Sequence, residues 1–160
     1  MIVGLDLRRV PFGDPVVRQL VAAVQEEYVV RYGSPDETPI DASVFEPPAG
    51  AFFLGSLEGV PVAIGGWRFR SDVAALGGSS AAEVKRMYVV PSARRAGHAR
   101  VVLTHLEETA REAGADVMAL ETGVRQPEAL GLYRAAGYLP VEGFGFYKEF
   151  PNVRYLGKRL

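Results

Sequence analysis

From residue 83 to the end, apolar residues switch repeatedly between the period of a strand and that of a helix. That alternation narrows the choice of fold more than any other feature of the chain. Glu83 to Val90 reads as a strand, with Val84, Tyr88 and Val90 alternating with Lys85, Met87 and Val89. Ala99, Val102, Leu103, Leu106, Ala110 and Ala113 then recur at helical spacing, and Gly114 ends the helix. Asp116 to Thr122 is a short strand. Pro127 opens a helix that runs to Ala136, and Gly137 closes it. Phe144 to Phe150 and Val153 to Leu160 read as two last strands. Strands and helices in this order predict a mixed α/β fold around one sheet.

The first half supplies the remaining elements. Ile2 to Leu7 reads as a strand, and Asp14-Pro15 as a cap followed by proline at the first helical position. Val17, Leu20, Val21, Val24 and Tyr28 continue at helical spacing to a stop at Gly33. Between Ser34 and Gly50 stand Pro35, Pro39, Pro47 and Pro48, which exclude a regular helix or a central strand. A long loop over a cleft is expected there, with Tyr28, Tyr32 and Phe45 as a substrate-facing wall. Ala51 to Leu57 and Val60 to Phe69 form a hairpin about Glu58-Gly59, contributing Phe52, Phe53, Trp67 and Phe69 to the core. Gly65-Gly66 marks a bulge or a close backbone approach.

At 160 residues the chain fits one domain, residues 1–160, able to bury its own core. Eighteen basic residues against nineteen acidic ones leave a formal net charge of −1, which argues against a nucleic-acid binder. With no cysteine and only His98 and His105, no disulfide, thiolate nucleophile or metal site is expected. Neither a signal sequence nor a run of about 18 apolar residues is seen, so a cytoplasmic protein without a membrane partner is expected.

The most specific local feature is the segment Val89-Val90-Pro91-Ser92-Ala93-Arg94-Arg95-Ala96-Gly97-His98-Ala99, where a strand turns directly into an amphipathic helix. The first amides of a helix lack internal partners and carry a partial positive charge, so such a turn suits an anion. Gly97 lets an anion approach the backbone or adopts an angle closed to side chains. Arg94 and Arg95 add charge suited to phosphate. An ordinary strand–helix turn with solvated arginines would show the same string. Neither a P-loop nor a dinucleotide fingerprint is present.

Together these features resemble the GNAT superfamily of N-acetyltransferases. Ala82 to Val89 is similar to that family's central strand. Arg94-Arg95-Ala96-Gly97-His98-Ala99 matches its Gln/Arg-x-x-Gly-x-Gly/Ala coenzyme A loop, and Ala129-Leu130-Gly131-Leu132-Tyr133-Arg134-Ala135-Ala136-Gly137-Tyr138 its Ala-x-x-Leu-Tyr-x-x-x-Gly-Phe segment. The resemblance implies a mixed sheet splayed between its fourth and fifth strands, with acetyl-coenzyme A as cosubstrate. The pantetheine arm would bond to main-chain groups of Met87, Tyr88 and Val89, and the pyrophosphate would rest on the amides of Arg94 to Ala99. Gln126 stands where many members have asparagine and would contact the arm. Tyr133 would protonate the departing thiolate, and Glu83 would take the amine's proton. The acceptor would be a small-molecule or peptide amine, attacked directly in a ternary complex. Many members dimerise, so a homodimer is compatible. An acyl-coenzyme A sensor without turnover is the alternative.

Overall fold

The structure, a computed structural model, describes residues 4–148 and 150–160. Its strands are β1 (Asp6–Arg9), β2 (Gly50–Leu57), β3 (Val60–Arg70), β4 (Ala81–Val89), β5 (Val117–Gly123), β6 (Leu139–Pro140) and β7 (Val153–Arg159). The helices are α1 (Pro15–Tyr32), α2 (His98–Glu112) and α3 (Pro127–Ala135), with short 3₁₀ turns at Ala42–Phe45 and Pro91–Ala93. All strands join one seven-stranded sheet of order β1-β2-β3-β4-β5-β7-β6. Among the described residues only the β4–β5 pair is parallel. The mixed α/β architecture expected from the sequence is therefore present.

Local chemistry sets the helix ends. Asp14 Oδ1 accepts from the amides of Val16 (2.8 Å) and Val17 (3.3 Å), taking up donors that the first turn cannot pair. Gly33 ends α1 in the left-handed region, donating its N–H to Val29 C=O (2.8 Å). On β2, Phe52 and Leu54 pack beneath α1 with Val17, Val24 and Phe45, while Ala51 and Phe53 join α2 and α3 on the other face. Helices thus cover both faces of the sheet. Phe45 packs against Phe12 and Phe52 and is buried, so it belongs to the core and not to a substrate wall.

At Gly65-Gly66 the structure shows a close approach. A Cβ on Gly66 would lie 2.4 Å from the Phe52 ring, and one on Gly65 would lie 3.0 Å from Val102. The register slips at this point, where Ile64 pairs with Tyr88 but Gly66 with Lys85. Two steps on β3 face three on β4, so the extra residue sits on β4, where Arg86 has φ 56°. Simple alternation along Glu83–Val90 fails for that reason: Val84 joins the core under α2 and Tyr88 the core under α1.

Two boundaries differ from expectation. Ile2 and Val3 lie outside the described residues, and the strand described there is Asp6–Arg9. The predicted strand Phe144–Phe150 is not one. Gly145 takes φ 74°, Lys148 donates back to Gly145 C=O (3.2 Å) and Phe150 to Tyr147 C=O (2.9 Å), while Glu149 lies outside the described residues. Its aromatic residues suggested a strand, but Phe146, Tyr147 and Phe150 pack on one another within the turn. The strand beside β7 is Leu139–Pro140 instead.

Candidate active site

The parallel ladder between β4 and β5 is short. Ala81, Ala82 and Glu83 pair with Val117, Met118 and Ala119, and pairing stops there. β5 continues against β7 through Gly123, and β4 regains β3 at Tyr88 and Val89. Beyond Glu83 the facing edges of β4 and β5 are therefore unpaired with each other. A sheet edge without its neighbour offers main-chain donors and acceptors to an extended ligand. A cavity of about 530 Å³ occupies this gap.

One end of the gap is the turn into α2. Arg95 has φ 64° and Gly97 φ 83°, both left-handed. The first helical bond runs from Val101 N–H to Gly97 C=O (3.2 Å), and the amides of residues 95–100 make no backbone hydrogen bond among the described residues. Gly97 is the helix cap and supplies no side-chain acceptor. Unpaired amides at a helix start form an anion cradle. The two arginines differ. Arg94 Nε donates to Val89 C=O (2.8 Å), its Nη2 meets the Glu27 carboxylate (2.8 and 3.0 Å), and the guanidinium covers the Tyr88 ring. Arg95 makes no such bond, lies exposed, and lines the cavity.

The other end is built from buried charge. Glu83 Oε1 accepts from Arg68 Nε (3.0 Å) and Arg70 Nη1 (2.7 Å), and Arg70 also clasps Asp72. Lys85 Nζ lies 3.4 Å from Glu121 Oε1 and 4.0 Å from both Glu83 Oε2 and Asp36 Oδ2. Asp36 forms an ion pair with Arg86, which ties the proline-rich loop to β4. Burial raises the Asp36 pKa, but Lys85, Arg86 and Thr38 outweigh it and hold the carboxyl below its ordinary value. For Glu121 the balance is reversed. Burial pushes it up, Glu83 and Asp36 add to that, and only Lys85 opposes.

Two tyrosines also line the cavity. Tyr133 on α3 packs edge-on to Tyr138 and is 7% exposed, and its hydroxyl has no hydrogen-bond partner among the described residues. Burial, and then Tyr28, raises its pKa above the usual phenol value. Tyr28 on α1 lines the same cavity, its pKa pushed up to about 12 by burial and by Asp36. Both hydroxyls therefore keep their protons at neutral pH.

A family model described as Acetyltransferase (GNAT) family matches residues 17–138. This chain belongs to the GNAT acetyltransferase family. Its GNAT relatives include a protein of Azospirillum brasilense named IAA acetyltransferase, 31% identical over 153 residues, covering 96% of this chain and 95% of that one. The N-acetyltransferase YsnE of Bacillus subtilis is 36% identical over 80 residues, 49% of this chain and 53% of that one. Among solved structures, a Klebsiella pneumoniae protein described as an acyl-CoA N-acyltransferase superposes with a TM-score of 0.81 at 24% identity, over 98% of this chain and 97% of that one. A GNAT acetyltransferase of Elizabethkingia anophelis with acetyl-CoA bound superposes at 0.67 with 15% identity, over 98% of each chain. The GNAT fold, with its sheet splayed between the fourth and fifth strands, is thus present.

The structure gathers most of the expected GNAT site residues around one cavity. Met87, Tyr88, Val89, Arg94, Arg95 and Ala99 line it, as do Gln126 and Tyr133 from the far side. Ala96, Gly97 and His98 form the turn just beyond its wall. Gln126 Oε1 accepts from Tyr32 (3.2 Å), which joins α1 to the start of α3. Glu83 is the exception: it is 1% exposed, held by two arginines, and does not line the cavity. Glu121 does line it, and sequence reasoning passed over it. The available signal was a carboxylate directly at the end of the apolar run Val117-Met118-Ala119-Leu120, within one strand, since a charge is rarely buried there without a use.

Proposed function

We propose that this GNAT protein transfers the acetyl group of acetyl-coenzyme A to a primary amine by direct attack in a ternary complex. One observation supports this most: the open edge of β4, the uncapped turn into α2 and the unpartnered Tyr133 hydroxyl meet at one cavity. The pantetheine arm runs along Met87–Val89, and the pyrophosphate rests on the amides of the turn. Arg95 supplies charge, and Arg94 holds the turn's shape through Glu27. The amine nitrogen bonds to the thioester carbonyl carbon, and the carbon–sulfur bond breaks. Tyr133 gives its proton to the leaving sulfur. The nitrogen's proton passes to a carboxylate, for which Glu121 is better placed than Glu83. The chain has no cysteine to carry the acetyl group, which favours direct attack.

Titration calorimetry with coenzyme A, beside thiol release from acetyl-coenzyme A across a panel of amines, tests the proposal. Coenzyme A binding and amine-dependent thiol release are expected. Binding without any amine-dependent release would make the protein a sensor and not an enzyme.

A further inference from the structure

The acceptor end of the cavity carries a mark of what it receives. Arg86 Nε, a donor, and Glu121 Oε2, an acceptor, are buried and have no hydrogen-bond partner among the described residues. Both side chains line the cavity, Arg86 being 6% and Glu121 11% exposed. Buried polar atoms in folded proteins are nearly always paired, and the exceptions gather at sites that do chemistry or bind. Here one donor and one acceptor are left over in the lining of one cavity. Arg86 sits in the β4 bulge with a left-handed φ of 56°, a backbone cost for any residue with a side chain. The bulge swings its guanidinium towards Asp36 and the gap.

The surrounding charges are matched one to one. Asp36 faces Arg86, Glu121 faces Lys85, and Glu83 and Asp72 share Arg68 and Arg70. A plain ammonium brought into this balance adds an uncompensated positive charge, and a plain anion the reverse. A molecule bearing one of each satisfies both leftover atoms and keeps the balance. Size points the same way. The cavity of about 530 Å³ must also hold the cofactor arm, and the loop bearing Asp36 closes over this end, held by Gln25 and by Tyr147, whose hydroxyl accepts from Glu37 N–H (2.6 Å).

We propose that the acceptor is a small free α-amino acid, its ammonium meeting Glu121 and its carboxylate meeting Arg86. The assignment rests on the acetyltransferase reading above and names its substrate class. A peptide terminus offers Arg86 Nε only a neutral carbonyl, so its own ammonium would stay uncompensated in this balance.

Thiol release from acetyl-coenzyme A is measured with the free amino acids. For those turned over, it is repeated with the matching decarboxylated amine and amino-acid amide, in wild type and in Arg86→Lys. Lysine keeps the charge opposite Asp36 but has no Nε donor. Wild type should favour the amino acid over its decarboxylated amine by about tenfold or more in kcat/KM, the scale of one hydrogen bond to a charged group. In Arg86→Lys that ratio should fall towards one. General structural damage lowers both acceptors together and keeps the ratio, so a preserved ratio overturns the assignment. Equal or better use of the decarboxylated amine or the amide by wild type also overturns it. So does failure to acetylate any amino acid by a protein that binds acetyl-coenzyme A. A protein that does not bind acetyl-coenzyme A would instead remove the acetyltransferase reading itself.

Discussion

Glu83 and Glu121 flank one lysine, yet their surroundings differ. Two guanidinium groups bond Glu83, which is 1% exposed and does not line the cavity, so an amine bound there is out of its reach. Among the described residues Glu121 has only Lys85 within reach, and burial together with Glu83 and Asp36 raises its pKa. A base works when unprotonated, so a raised pKa moves the acidic limb of the kcat/KM profile upward. That limb should lie above the ordinary carboxylate value of about 4.3. Glu121→Gln should abolish the limb and slow the reaction by about 10²-fold or more, the usual scale for a positioned base. Glu83→Gln should keep the limb. A pH–rate profile of each variant decides, and loss of the limb in Glu83→Gln alone would return the role to Glu83. The family resemblance pointed to Glu83 because it stands at the start of the central strand. The sequence hid Glu121, because nothing in one dimension shows that residues 83, 85 and 121 meet over the gap.

At the scale of elements, the turn into α2 was the most legible part. Proline, small residues and Gly97 before an amphipathic stretch announced a helix start with unpaired amides, and the amides of residues 95–100 find no backbone acceptor among the described residues. The division of labour between its arginines was not legible, because Glu27 lies on a helix 67 positions away in the chain. Coenzyme A affinity should weaken with salt, and Arg95→Gln should flatten that slope, since exposed charges are screened over about 8–10 Å. Arg94→Gln should lower affinity through the shape of the turn and leave more of the slope in place. Gly97→Val probes the cradle directly. A Cβ there meets no neighbour within 4 Å, so the fold has room for it. The left-handed φ of 83° still costs a β-branched residue on the order of 1–2 kcal/mol. Affinity should fall about tenfold or more while circular dichroism stays native. Wild-type affinity in Gly97→Val would remove the turn from the cofactor site. Reading Phe144–Phe150 as a strand failed because Gly145, with a left-handed φ, bends the chain there, and Phe146 and Phe150 stay exposed in the turn instead of lining a sheet face.

Across the whole molecule, one extra residue in β4 sets the site. The bulge at Arg86 breaks the ladder's regularity, and the parallel pairing with β5 ends just before it. It also sends Val84 and Tyr88 to opposite faces, so one strand serves the core under α2, the core under α1 and the open gap. Alternation read from the sequence cannot show this, since Lys85, Arg86 and Met87 look like an ordinary half-exposed strand. Element order and helix ends follow from local chemistry and were largely legible; the gap depends on pairing between distant strands and was expected only through family resemblance. The central claim is that chemistry happens in this gap with Tyr133 as the acid. Burial holds the Tyr133 pKa above the phenol range, so the hydroxyl is protonated across ordinary assay pH and contributes no basic limb there. Tyr133→Phe keeps the ring against Tyr138 and removes only the oxygen. Coenzyme A affinity should be unchanged, while the single-turnover rate of acetyl transfer falls by about 10²–10⁴-fold. A Tyr133→Phe protein with intact affinity and an undiminished single-turnover rate would contradict the account.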